Sequence, residues 1–130
     1  MNQPPGQKTP EVVVVVDDDP ALLHALTFAL GVEGFSVRPY PDAASLLMEP
    51  SLPAHGCLVI DYRLPGLDGL DLLERLRARG VTLPAVLITT ATPRILKRAA
   101  AAGVPVVEKP LLNGMLFSLV HELLAAPASN

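Results

Sequence analysis

The sequence predicts an α/β fold, in which a parallel five-stranded sheet carries helices on both faces. Short runs rich in Val and Ile alternate with longer segments of helical spacing from position 11 onward. These runs are continuously apolar, which is typical of strands that are buried on both faces. Half of the 130 residues are hydrophobic and 18% are charged, so the composition is that of one globular domain and not of a disordered protein.

Five strands and five helices alternate along the chain. The strand signals are short apolar runs enriched in β-branched residues. We predict strands over 12–16, 35–40, 57–60, 85–89 and 104–108. The helical segments carry apolar residues three and four positions apart. We predict helices over 21–32, 43–48, 69–79, 94–102 and 114–125. Right-handed crossovers then favour the doubly wound, flavodoxin-like (βα)5 order 2-1-3-4-5.

A residue able to cap a helix precedes each helical segment. Side-chain oxygens of such residues accept hydrogen bonds from the first-turn N–H groups. In chain order the candidate caps are Asp18 or Asp19, Asp42, Asp68, Thr92 and Asn113. Pro20 and Pro93 suit first helical turns, and Gly80 and Gly103 follow the third and fourth helices, where glycine commonly ends a helix.

Composition also limits the partners and the compartment. The net charge of −3 argues against direct nucleic-acid binding, which needs clustered Lys and Arg. The single cysteine, Cys57, excludes an internal disulfide, and no apolar run is long enough to insert into a membrane. We expect a cytoplasmic protein with one domain over 11–126 and flexible tails over 1–10 and 127–130.

Polar residues stand where four of the five predicted strands end. In a sheet of this order, ligands bind beyond the carboxyl ends of the strands, between strands 1 and 3. Strand 1 is followed by Asp17 and Asp18, and strand 3 by Asp61. Strand 4 ends in Thr89, and Lys109 follows strand 5. We therefore expect three carboxylates, a hydroxyl and an amine to meet at one edge of the sheet.

These residue types together suit phosphoryl transfer. Carboxylates that converge need a cation between them, and hard oxygen ligands favour Mg²⁺, with Mn²⁺ as another candidate. Asp61 can act as the nucleophile, while Lys109 and Thr89 can donate to the transferring group. Taken singly, each has a structural interpretation: a helix cap for Asp18, a turn former for Asp61, and a plain strand residue for Thr89.

Four segments carry a resemblance to a known family. They are VVVVVDDDPALL, LVIDYRLPGLDGLDLLERLR, VLITT and VVEKPLL. Together they resemble the response regulator receiver family of two-component signalling, over about residues 11–125. The most specific stretch is 58–73, where Asp61, Pro65 and Gly69 fall at the family's spacing.

The resemblance implies a role for each matching position. It implies that Asp61 is phosphorylated by the phosphohistidine of a sensor histidine kinase or a phosphotransfer protein. It implies that Asp18 binds Mg²⁺ directly, that Asp17 acts through water, and that the backbone carbonyl of Arg63 is a further ligand. It also implies that Thr89 is the switch hydroxyl and Lys109 the phosphate-pairing lysine, and that the bond before Pro110 is cis.

Two positions depart from the family's pattern. The switch position three residues before the lysine is usually aromatic, but here it is Val106. Thr90 stands where the family usually has a smaller residue, so we expect it to crowd the path of attacking water and slow aspartyl-phosphate hydrolysis. The 20 positions from Thr89 to Lys109 are fewer than is typical, which predicts a short fourth helix or preceding loop.

The sequence leaves several functions open. We expect a stand-alone receiver that is not an enzyme and that forms a homodimer through its fourth and fifth helices. On the fifth helix, Ser118, His121 and Glu122 form only a narrow polar stripe; the alternative is that this helix is simply well buried. The first alternative function is a receiver-like adaptor that works without phosphorylation. The second is a haloacid dehalogenase-type phosphatase, with Asp17 as nucleophile and Asp19 as acid.

Overall fold

The computed structural model describes residues 11–109, 111 and 114–125. The strands are β1 (Val12–Val16), β2 (Ser36–Tyr40), β3 (Cys57–Asp61), β4 (Ala85–Thr89) and β5 (Val106–Glu108). The helices are α1 (Pro20–Val32), α2 (Ala43–Leu47), α3 (Gly69–Ala78), α4 (Pro93–Ala102) and α5 (Met115–Ala125). All strand pairs are parallel, in the order β2-β1-β3-β4-β5. The predicted fold class and strand order are confirmed.

Element boundaries differ from the predicted ones by one or two residues, and backbone hydrogen bonds explain two of the shifts. β2 begins at Ser36 because the N–H of Phe35 donates to the carbonyl of Leu30 and so closes α1. β5 begins at Val106 because the N–H of Val104 donates to Ala99 at the end of α4. Pro105, which has no N–H, only accepts from Leu87. The predicted tails, Pro110 and the cap Asn113 lie outside the described residues.

The sheet separates two apolar layers, as its period-two side-chain alternation requires. Val13 and Val15 of β1 pack with α1 and α5, whereas Val14 and Val16 pack with α2, α3 and α4. All four valines have no exposed surface, and burying one such side chain stabilises the fold by about 1.5–3 kcal/mol. The run of valines is therefore apolar throughout because both of its faces are covered.

This register brings the carboxyl ends of neighbouring strands together. Val16 of β1 pairs with Ile60 of β3, so Asp17 and Asp61 leave the sheet side by side. Thr89 of β4 pairs with Glu108 of β5, so Lys109 follows at the same edge. No helix among the described residues is long and apolar enough to cross a membrane.

Candidate functional site

Three carboxylates meet at the carboxyl edge of the sheet. One oxygen from each of Asp17, Asp18 and Asp61 lies within 4.8 Å of the other two. Asp17 is fully buried and Asp61 is 3% exposed, whereas Asp18 is exposed. The cluster, which is called the pocket below, therefore combines two buried acidic groups with one exposed acidic group.

The carboxylate of Asp17 is only partly satisfied. Its Oδ1 accepts a hydrogen bond from the N–H of Asp19 at 2.9 Å, whereas its buried Oδ2 has no hydrogen-bond partner among the described residues. Burial is the largest cause that raises the pKa of Asp17 from 3.8 to about 6; the charge of Asp61 also raises it, whereas the Asp19 N–H and Lys109 lower it. A buried anionic oxygen in this state is costly unless a cation approaches it.

Lys109 supplies one positive charge to the cluster. Its Nζ lies 3.2 Å from Oδ2 of Asp61 and 3.7 Å from Oδ2 of Asp17. Its backbone N–H donates to the carbonyl of Thr89 at 2.9 Å, which continues the parallel pairing of β4 and β5 and fixes the root of the side chain. The amine is thus held over the buried carboxylates while the side chain stays 26% exposed.

The loop after Asp61 is fixed by its own backbone. The Arg63 N–H donates to Oδ1 of Asp61 at 3.3 Å. The Tyr62 N–H donates to Ile88, and the Gly69 N–H donates to the carbonyl of Tyr62 at 2.8 Å. A Cβ added at Gly69 would lie 2.5 Å from the backbone oxygen of Asp61. Glycine is therefore required where α3 begins, because the helix touches the strand end that carries Asp61.

Thr89 is buried at this edge, and its Oγ1 donates to the carbonyl of Thr90 at 3.3 Å. Thr90 itself is exposed, and Val106 is half-buried on β5. The structure thus brings Thr89, Lys109 and the three carboxylates to one edge of the sheet. Pro110 and its peptide bond lie outside the described residues.

The donor set fits a hard divalent cation. Carboxylate oxygens of Asp17, Asp18 and Asp61 are the ligands that Mg²⁺ prefers, and no His or Cys belongs to the cluster. The specific observation that favours a cation here is the buried Oδ2 of Asp17, which has no hydrogen-bond partner among the described residues and lies 3.7 Å from the Lys109 Nζ. Asp19 is not part of this set, because its side chain accepts from the N–H groups of Ala21 and Leu22 and caps α1.

A second cluster beside the site was not predicted. Arg98 of α4 donates to the hydroxyl of Tyr62 at 2.7 Å and to Oδ2 of Asp68 at 2.9 Å. It also donates to Oδ1 of Asp71 at 3.4 Å. These partners lie 27 to 36 positions from Arg98 in the sequence, so no local pattern could have indicated the contacts.

Comparisons with known proteins agree with this geometry. The family model described as response regulator receiver domain matches residues 13–121. The transcriptional regulatory protein FixJ of Bradyrhizobium diazoefficiens is 33% identical over 123 residues, which are 90% of this chain and 59% of that protein. The response regulator protein TodT of Pseudomonas putida is 30% identical over 87% of this chain and 51% of its own length.

Solved structures show the same fold. The chemotaxis protein CheY4 of Vibrio cholerae superposes with a TM-score of 0.80 at 20% identity, over 89% of this chain and all of that chain. The chain spans little more than half the length of the curated relatives FixJ and TodT.

Proposed function

We propose that this chain, which belongs to the response regulator receiver family, accepts a phosphoryl group on the carboxylate of Asp61. Members of this family are signalling domains of two-component systems. The observation that carries the proposal is the cluster of Asp17, Asp18 and Asp61 with the Nζ of Lys109 only 3.2 Å from Asp61. The donor would be the phosphohistidine of a sensor histidine kinase or a phosphotransfer protein.

The transfer is a displacement at phosphorus. An oxygen of Asp61 forms a bond to phosphorus, the bond from phosphorus to the histidine nitrogen breaks, and that nitrogen keeps the electron pair and takes a proton. The product is an aspartyl phosphate, which adds negative charge to a pocket that already holds two other carboxylates. Groups that neutralise charge at this edge therefore lower the barrier more than any other feature.

Two kinds of group would supply that neutralisation. Asp17, Asp18, Asp61 and the backbone carbonyl of Arg63 would hold Mg²⁺ or Mn²⁺, which neutralises the phosphoryl oxygens when it is bound. Lys109 would shift its partner from Oδ2 of Asp61 to a phosphoryl oxygen, since a flexible amine can follow the new charge. Thr89 would turn its hydroxyl from the carbonyl of Thr90, a 3.3 Å contact, towards the same group.

Phosphorylation can be tested by intact-protein mass spectrometry. Acetyl phosphate with Mg²⁺ should add the mass of one phosphoryl group to the wild-type chain and nothing to Asp61→Asn. Asp42→Asn is the matched control, because Asp42 caps α2 away from the pocket and Asn caps a helix equally well. A mass gain that survives in Asp61→Asn would show that another residue accepts the phosphate.

The adaptor alternative has one observation in its favour. Val106 provides no aromatic side chain at the position where the family usually switches, and it is half-buried on β5. A chain that works without phosphorylation should show no mass gain with acetyl phosphate and no amide shifts with beryllium fluoride and Mg²⁺. We therefore propose the phosphoacceptor function first, since an adaptor has no need for a buried carboxylate that faces a lysine.

A homodimer through α4 and α5 is a further part of the proposal. Leu96 on α4 and Met115 on α5 are exposed large apolar side chains, at 45% and 57%. Most other apolar residues of α5 pack against the core, so the available patch is small. Leu96→Asp should lower the molar mass measured by light scattering at micromolar concentration, whereas Phe28→Asp, an exposed site on α1, should not. A wild-type monomer with and without beryllium fluoride would contradict the dimer.

A further inference from the structure

Arg98 of α4 makes polar contacts with residues around the start of α3, beside the pocket. Its Nη1 donates both to the Tyr62 hydroxyl, at 2.7 Å, and to Oδ2 of Asp68, at 2.9 Å. Its Nη2 lies 3.4 Å from Oδ1 of Asp71. The guanidinium carbon is 5.8 Å from the centroid of the Tyr62 ring, within the range of a cation–π contact. One side chain of α4 thus contacts three residues around the start of α3.

The contacted residues bound the loop that follows the phosphoacceptor. Tyr62 is the residue directly after Asp61 and is 8% exposed. Asp68 ends the loop, because its Oδ1 accepts from the N–H of Asp71 at 2.9 Å and caps α3. Between these two residues lies Arg63, whose carbonyl is a proposed metal ligand. Arg98 therefore contacts both ends of the loop from Tyr62 to Asp68. We expect this loop to move when Asp61 is phosphorylated.

The contacts of Arg98 combine ion pairs with a hydrogen bond of defined direction. Asp68 is partly buried, which raises the pKa of its carboxyl, but the Asp71 N–H and the Arg98 guanidinium outweigh this and hold the pKa below its usual range. The Nη1 atom of the planar guanidinium carries two N–H groups, so it donates to the Tyr62 hydroxyl and to Asp68 at the same time. Arg94 and Lys97, the other basic residues of α4, are exposed, so the position of Arg98 depends on Tyr62 in a way that theirs does not.

We propose that Arg98 is a positioning residue that couples the phosphoacceptor pocket to α4 through the Tyr62 hydroxyl and the α3 cap Asp68. This inference rests on the proposed function, and it names the connection by which a change at Asp61 reaches a helix on the molecular surface. It also suits a chain with Val106 on β5, because Tyr62, an aromatic residue adjacent to the phosphoacceptor, contacts Arg98 of α4.

The test removes a single oxygen atom. Tyr62→Phe keeps the buried ring and the two ion pairs of Arg98, and it loses only the hydroxyl that accepts the 2.7 Å hydrogen bond. Amide shifts are recorded by NMR with and without beryllium fluoride and Mg²⁺, at Arg63 and Thr90 for the pocket and at Leu96 and Ala100 for α4. In the wild type both sets should move. In Tyr62→Phe the pocket set should move as before, and the α4 set should lose most of its response.

Two further variants separate coupling from a merely structural role. Arg98→Met should also abolish the α4 response, whereas Arg94→Gln, which removes the same charge from an exposed site on the same helix, should keep it. Because coupling is reciprocal, Tyr62→Phe should also change the affinity for beryllium fluoride. If the variants merely loosened α4, the amide shifts of α4 would change equally with and without beryllium fluoride, and that result would contradict the coupling.

The NMR results distinguish an error in the proposed phosphoacceptor function from an error in the role of Arg98. If the wild-type pocket amides do not move, the proposed phosphoacceptor function is wrong and this inference is wrong with it. If they move and the α4 response in Tyr62→Phe equals that of the wild type, the phosphoacceptor function stands and the role of Arg98 is overturned. An α4 response lost in both Tyr62→Phe and Arg98→Met, and kept in Arg94→Gln, supports the coupling.

Discussion

Asp17→Asn should make the metal-free protein more stable at neutral pH, although it alters a residue of the proposed site. The carboxylate of Asp17 is fully buried, and its Oδ2 has no hydrogen-bond partner among the described residues. An asparagine of the same size keeps the oxygen that accepts from the Asp19 N–H and carries no charge, although it gives up the 3.7 Å ion pair with Lys109. The substitution therefore removes the cost of burying an ionised carboxylate and the repulsion between that carboxylate and Asp61.

The size of the effect follows from the pKa of this carboxyl. Burial and the charge of Asp61 raise the pKa of Asp17 from 3.8 to about 6. A tenfold change in proton affinity corresponds to about 1.4 kcal/mol, so the ionised side chain destabilises the native state by about 3 kcal/mol. Asp17→Asn should therefore raise the free energy of unfolding of the metal-free protein by about 1–3 kcal/mol.

The sign of the pH dependence follows from the same rise in pKa. Between the ordinary pKa of 3.8 and the folded value of about 6, the native state holds a proton that the unfolded state has lost. The penalty is therefore fully present above about pH 6 and disappears as the pH falls towards about 4. The free energy of unfolding of the wild type should rise relative to that of Asp17→Asn when the pH is lowered from about 7.5 to about 5.

Urea denaturation in a chelator, and again in Mg²⁺, measures all of these quantities. Mg²⁺ should stabilise the wild type by mass action and should stabilise Asp17→Asn much less. Asp18→Asn is the matched control, since Asp18 is exposed: without metal its stability should lie within about 0.5 kcal/mol of the wild type, while its Mg²⁺ response should fall. The reasoning is refuted if Asp17→Asn is less stable than the wild type in chelator at about pH 7.5, where the penalty is full.

Four other variants test particular positions. Gly69→Ala should cost about 1–3 kcal/mol or more in urea denaturation, because its Cβ would lie 2.5 Å from the backbone oxygen of Asp61. Gly31→Ala, where nothing lies within 4 Å in α1, should instead stabilise by about 0.5–1 kcal/mol. Lys109→Met should slow phosphorylation by acetyl phosphate in a mass-spectrometric time course, and an unchanged rate would remove the amine from the mechanism. Thr90→Ala should speed loss of the phosphoryl group in a chase without donor; loss no faster than in the wild type would contradict the crowding of attacking water.

The sequence was sufficient to predict the strands and helices because their signals are local, and the strand order then followed from the right-handed crossover rule. The five valines of β1 place apolar side chains on both faces of the sheet. Helices α1 to α4 each begin after a residue whose side chain accepts from the first turn. Caps Asp42, Asp68 and Thr92 were predicted from residue type and are observed. The choice between Asp18 and Asp19 for α1 could not be made from residue type, because it depends on which carboxylate the turn directs at the helix and which at the pocket.

The polar edge of the sheet was also predictable, and for a topological reason. Parallel strands point their carboxyl ends the same way, so Asp17, Asp61 and Lys109 meet once the strand order is known. The difference in burial and hydrogen bonding between the carboxylates was not predictable from the sequence. Asp17 is buried with an oxygen that lacks a hydrogen-bond partner among the described residues, while Asp18 next to it is exposed. This difference arises from the packing around the strand end and not from the residues' identity.

The valine at position 106, where the family usually has an aromatic residue, can be understood by comparing it with the contact between Tyr62 and Arg98. The half-buried side chain of Val106 on β5 has neither a polar atom nor a ring. It therefore offers no hydrogen bond or ring contact through which a movement of Thr89 could be transmitted to neighbouring residues. Tyr62 has both a ring and a hydroxyl, follows Asp61 directly, and contacts α4 through a 2.7 Å hydrogen bond. If phosphorylation moves α4 in this chain, the β3–α3 loop is therefore a shorter route than β5, and variants at Val106 should affect that movement less than Tyr62→Phe does.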